Sequence, residues 1–148
     1  LKEIADLLER INPILKDLPV YGYIYKFKNV KTGRCYIGQT ILPLNKRYGC
    51  EGGIIKSWIK ERLDKENQKF KEELIEEDIE VTEMLGVGCC EYHLNALEFY
   101  YIDKYNSYRE GYNNTAGNYK TNDGLEEFNQ ILKENNLEFI DGKLIKIV

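Results

Sequence analysis

The chain has 148 residues, 43% of them hydrophobic and 31% charged. That is enough apolar material for one core and too little for two ordinary domains, which excludes disorder throughout. No apolar run approaches the roughly 20 residues a membrane span needs, and the N-terminus carries no signal-peptide pattern. The net charge of −4 argues against a nucleic-acid partner when taken whole, but the charge is unevenly spread. Between Leu18 and Lys60 eight Lys or Arg face a single acid, Glu51, whereas from Glu61 to Tyr100 four bases face twelve acids. Screening over ~8–10 Å means that a ligand meets local charge, so a basic face remains open to nucleic acid. The four cysteines (Cys35, Cys50, Cys89, Cys90) lack the spacing of a disulfide scaffold, which points to a reducing, cytoplasmic compartment. The chain begins at Leu1 rather than Met, as a fragment or a processed chain does.

In chain order, Leu1, Ile4, Leu7, Leu8 and Ile11 have helical spacing, and Pro13 ends that helix. Residues 21–28 (YGYIYKFK) alternate and are rich in β-formers, Asn29 to Gly33 is turn chemistry, and 34–40 (RCYIGQT) reads as the partner strand. Pro43 suits a short helix carrying Lys46 and Arg47 and ended by Gly49. Ile54, Ile55, Trp58, Ile59 and Leu63 mark another helix, followed by a charged one over about 65–78. A third strand is expected at 79–87 and a helix from Cys90 to Tyr105. A turn-rich loop (GYNNTAGN, 111–118), a helix over 123–134 and a hairpin around Asp141-Gly142 complete the chain. No repeat or linker appears, so the reading is one domain over 1–148.

Two features carry chemistry. If the four residues Asn29 to Thr32 form the hairpin loop, Lys28 pairs with Gly33 and Tyr25 lies opposite Tyr36, which puts both phenols on one face. Two half-buried strand tyrosines would look the same. Glu98 lies inside an apolar helical stripe, between Leu94 and Ile102. A carboxylate there must find a cation, a metal or strong donors, or take up a proton. A buried pair with Arg47 is one solution. The other is phosphodiester cleavage, in which a carboxylate holds a divalent cation, an Arg neutralises phosphate charge and a phenol orients or deprotonates water.

These residues resemble the GIY-YIG nucleases. Tyr23-Ile24-Tyr25 and Tyr36-Ile37-Gly38 match the two strand motifs at a spacing of about eleven residues, with Asn29 in the connecting turn. Tyr23 replaces the family's Gly, and Gly22 stands one place early. Arg47 falls where the family presents its catalytic Arg, Glu98 in ALEFYYI matches its metal-binding Glu, and Gly111-Tyr112-Asn113 matches the GYN that follows. The match spans about 21–117. Where many members carry a His or Tyr one turn beyond the Arg, this chain has Glu51, with Tyr48 and Lys56 as nearby substitutes.

The resemblance implies an α+β fold, a three-stranded antiparallel sheet flanked by helices, to which an N-terminal helix and a C-terminal hairpin are added. It implies a metal-dependent endonuclease acting on DNA, with Mg²⁺ or Mn²⁺ on Glu98, Arg47 on the scissile phosphate, Tyr25 and Tyr36 at the nucleophilic water, and Asn113 bracing the site. Lys26, Lys28, Lys46 and Lys56 would contact DNA, and specificity would come from a further domain or partner chain. Two other classes compete: a non-catalytic nucleic-acid-binding module on the same scaffold, and a protein–protein interaction domain using the acidic half. A weaker zinc reading groups Cys89, Cys90, His93 and Cys50.

Overall fold

The computed structural model describes residues 2–41, 53–73, 79–117 and 122–147. Helix α1 (Lys2–Ile11) buries Leu7 and Leu8 and stops at Asn12-Pro13, as the proline requires. Asn12 then opens a 3₁₀ turn by accepting the Ile14 N–H at 3.2 Å, and its amide donates to Leu144 O at 3.1 Å.

Strands β1 (Gly22–Asn29), β2 (Cys35–Thr40) and β3 (Ile79–Gly88) form one antiparallel sheet in the order β2-β1-β3. The register of the first hairpin differs from expectation. Lys28 pairs with Cys35 rather than Gly33, and Tyr25 with Gly38 rather than Tyr36. The four-residue loop is Val30 to Gly33, because Asn29 stays in the strand. Its Oδ1 accepts the Lys31 N–H at 3.0 Å, its own N–H donates to Arg34 O at 2.9 Å, and Gly33 takes φ +77° to close the turn. Moving the loop on by one residue changes each pairing by two. Strand side chains repeat every two, so Tyr25 and Tyr36 still share a face, with ring centroids 6.4 Å apart. Gly38 makes room for this, since a Cβ there would overlap the Tyr25 ring.

Helices α2 (Gly53–Glu66) and α3 (Gln68–Glu73) add Leu63 and Phe70 to the core that contains Tyr25, Phe27, Tyr36 and Tyr112. Two successive helices are found as expected, but the boundary between them falls at Asn67, so the charged one begins at Gln68 rather than about 65; residues 74–78 lie outside the described set. Asn67 Oδ1 accepts the Phe70 N–H at 2.9 Å while its amide donates to Tyr112 O at 2.7 Å. Capping α3 and holding the 112–114 loop outweigh helical continuation at this residue. The short helix expected at 43–49 also lies outside the described residues.

Helix α4 (Glu91–Lys104) covers the opposite sheet face, where Ile24, Ile37, Leu94, Leu97 and Ile102 form a second cluster. Gly22 and Gly88 pair across β1 and β3 directly beneath Leu94, and a Cβ on Gly88 would lie 2.8 Å from Leu94 Cα. Position 22 is therefore where this fold needs the small residue, and Tyr23 turns its ring to the other face. Helix α5 (Leu125–Glu134) and the hairpin β4 (Leu137–Ile140) and β5 (Lys143–Lys146) close the chain. Asp141 and Gly142 take φ +50° and +75°, as a type I′ turn demands. Phe128, Ile131, Leu137 and Leu144 join Leu7 and Leu8 in the larger core, so the two terminal additions pack as one layer. Among the described residues no helix is long and apolar enough to cross a membrane.

Candidate active site

Strand β2 is an edge of the sheet, and a cleft of about 600 Å³ runs along it. Arg62 and Glu66 line it from α2, Tyr36 and Gln39 from β2, Asn95 and Glu98 from α4, and Asn113 from the following loop. Helix α4 carries Glu98 on the same face as Leu94 and Ile102, four residues to either side, so it is half-buried beside the cluster those residues form with the sheet and lines the cleft. Burial raises the Glu98 pKa above the usual carboxylate value, while a hydrogen bond from Gln39 and the charge of Arg62 draw it back down. Gln39 also donates to Asn95 Oδ1 at 2.9 Å, which ties β2 to α4 beside the carboxyl.

The Tyr36 phenol is likewise raised by burial; Arg62 lowers it, and Glu98 and Glu66 raise it further. At neutral pH it is a protonated donor. Tyr25, 1% exposed, lies beneath Gly38 on the same face. Asn113 makes a two-pronged contact with the backbone of Ile37: Oδ1 accepts its N–H and Nδ2 donates to its carbonyl, each at 2.8 Å. Next to it the Tyr112 N–H donates to Cys35 O at 2.9 Å. The Tyr112 hydroxyl accepts from Asn29 Nδ2 and donates to Glu73 Oε2, both at 3.0 Å. The Gly-Tyr-Asn segment thus fastens the hairpin turn, α3 and the edge of β2 together.

Tyr36, Glu98 and Asn113 meet at this cleft, with Tyr25 behind them. Arg47 and Lys46 lie outside the described residues, as do Tyr48, Cys50 and Glu51, and the Lys56 side chain is not among those described. Lys26 points to the other sheet face, 3.2 Å from Glu83 and 4.5 Å from the Tyr105 ring centroid. Lys28 is exposed on that same face. The basic and acidic halves of the sequence meet in space, at Lys26–Glu83 and again at Arg34–Glu73, 3.0 Å apart.

Arg62 does not stand out in the sequence, where it reads as one more charge on a solvated helix. The available signal is its place beside Leu63, the last residue of the helix's apolar pattern. As for the zinc grouping, His93 Nδ1 accepts the Cys89 N–H at 2.9 Å, which engages the lone pair a metal would need. Among the described residues no three His, Cys, Asp or Glu converge as a metal cage. The groups lining the cleft that could ligate a metal are oxygens, the carboxylates of Glu98, Glu66 and Glu91 and neighbouring amide and hydroxyl oxygens, beside the Arg62 guanidinium. That set suits a hard cation such as Mg²⁺ or Mn²⁺, which takes one or two carboxylates and completes its shell with water and substrate phosphate.

Fold and site together define a small α+β domain with a polar, carboxylate-bearing cleft at one sheet edge. No family model, curated protein or solved structure matches the chain.

Proposed function

We propose that this protein is a divalent-metal-dependent endonuclease of the GIY-YIG type, hydrolysing DNA phosphodiester bonds. The observation that carries the reading is the cleft itself. One half-buried carboxylate, a guanidinium and a phenol line a single cavity at the edge of β2, and Tyr25 shares the Tyr36 face. In this reading Glu98 holds Mg²⁺ or Mn²⁺, and the bound ion supplies Lewis-acid stabilisation of phosphate charge. Tyr36, protonated at neutral pH, donates to a phosphate oxygen or orients the attacking water. The Arg62 charge is the influence that draws its proton away. Asn113 keeps Ile37, and hence the neighbouring Tyr36, at a set height along the cleft. Arg47 retains the role its motif position implies.

The raised Tyr36 phenol also favours a second reading, a non-catalytic nucleic-acid-binding module on the same scaffold. Incubation with supercoiled plasmid, branched DNA and RNA, with and without Mg²⁺ or Mn²⁺, separates the two. Metal-dependent cleavage is expected, and binding without cleavage selects the module. Tyr25→Phe and Tyr36→Phe remove only a hydroxyl, so each variant should fold. A loss of about 10²-fold or more is expected where the missing group moves a proton. Full activity in both would reduce the pair to strand packing, and loss in one would assign the base.

A further inference from the structure

Among the described residues the cleft is lined by three carboxylates, Glu66, Glu91 and Glu98, and by one cationic side chain, Arg62. Of these described groups, the carboxylates repel an anionic phosphodiester in the metal-free cleft and the guanidinium attracts it. Helix α2 buries Leu63 in the core with Tyr36 and Phe70, which fixes the helix against the sheet and brings Arg62, one residue earlier, to the rim. One helical turn on, Glu66 Oε2 accepts from Arg62 Nε at 3.2 Å. An exposed pair of this kind contributes little to stability. What it does is orient the fork: with Nε directed at Glu66, the plane of the guanidinium is set and its two terminal nitrogens form the opposite edge. The Arg62 side chain is 44% exposed and lines the cleft, so a ligand lying there can reach it. Its charge is felt by both neighbours across the cavity, lowering the Tyr36 phenol and the Glu98 carboxyl.

We infer that Arg62, oriented by Glu66, is the residue that binds a phosphodiester phosphate of a nucleic-acid strand laid along the open edge of β2. It holds that phosphate between Tyr36 and Glu98. This rests on the endonuclease reading for its consequence in turnover, but the phosphate contact itself does not depend on cleavage. The planar fork matters as much as the charge, because two parallel N–H···O bonds fix a phosphate's rotation and a point charge does not.

The test separates binding from cleavage. A fluorescein-labelled DNA duplex is titrated in Ca²⁺ at several salt concentrations, with wild type, Arg62→Gln, Arg62→Lys and Glu66→Gln, and the same proteins are assayed on plasmid in Mg²⁺. Arg62→Gln should weaken binding about tenfold or more and lower the slope of log affinity against log salt by about one, the signature of one lost phosphate contact. Arg62→Lys should keep the slope and still lose cleavage, and added guanidinium should partly restore the Gln variant. Glu66→Gln should fall between these and wild type. If Arg62→Gln melts early, Arg62→Lys carries the comparison through its cleavage loss.

Unchanged affinity and slope in Arg62→Gln, or full cleavage in Arg62→Lys, overturns the inference. A wild type that binds with an Arg62-dependent slope yet cuts nothing refutes the endonuclease reading and leaves the phosphate site standing. A wild type that does not bind the duplex at the lowest salt overturns both.

Discussion

His93 and Glu98 lie five residues apart on α4, and burial displaces both towards the uncharged form, Glu98 upward and His93 down to about 4. Their surroundings then diverge. His93 is sealed in: its ring stacks on Phe128 at 4.9 Å, meets the edge of Phe139 at 5.2 Å, and its Nδ1 takes the Cys89 N–H. Glu98 opens onto a cavity where Gln39 and Arg62 only partly offset its desolvation. The same physical penalty is resolved inside the fold in one case. In the other it is left in reach of a ligand from outside, which is where chemistry is expected.

Glu98→Gln should reduce metal-dependent plasmid cleavage by about 10²-fold or more. Because the carboxylate is strained in the metal-free protein, its melting temperature in EDTA should stay level or rise. A variant that is strongly destabilised and still cleaves would make Glu98 a structural ion partner like any other.

Next in size is an opposition in pH dependence. The unfolded His93 imidazole ionises near 6.5 and the folded one only at about 4, so the unfolded chain gains its proton first. Stability is then lost as pH falls through that window, by about 3 kcal/mol in all. Glu98 tilts the other way, since its folded carboxyl takes up a proton at higher pH than the unfolded one. Denaturant unfolding at pH 7 and pH 4.5 should therefore show His93→Gln flattening the acid limb and Glu98→Gln steepening it. Equal slopes in both variants would erase the distinction.

The smallest expected effect tests the far face of the sheet. Lys26 is already paired with Glu83 and lies over Tyr105, so Lys26→Ala should change DNA affinity by no more than about fivefold. Replacing Lys46 and Lys56 together by Glu should weaken binding across all sequences, with the larger loss at low salt. A large effect of Lys26 alone would place the DNA beside β3 and Tyr105, away from the β2 edge.

Much of this arrangement is legible in the amino-acid sequence itself. Asp141-Gly142 reads as a type I′ turn because few residues accept two successive positive φ values, and the structure has both. The shared face of Tyr25 and Tyr36 follows from strand parity and so survives a register that is displaced by two. The displacement itself is hidden in Asn29, which can end a strand or enter a turn with equal ease. Its buried contact with the Tyr112 hydroxyl, eighty-three residues away, adds to the local turn bonds in holding it at the strand end. The break at Asn67 has the same origin, a long-range bond to the 112–114 loop that local propensity does not register. Arg62 stays hidden because periodicity identifies which helical residues are buried, and says little about what a charge at the margin of that face will confront.

The contact between Asn113 and Ile37 has a consequence for the protein at high concentration. An edge strand presents a row of unpaired amides and carbonyls on which another chain can template itself. Here the Asn113 amide and the Tyr112 N–H occupy that row at Ile37 and Cys35, while on the sheet's other edge Arg10 donates to Met84 O at 3.4 Å. A single side chain thus acts as a stand-in for a fourth strand. Its loss would do more than loosen a cleft: it would expose a β-edge of buried aromatic and aliphatic residues to its own copies, turning a change in site geometry into a tendency to self-associate.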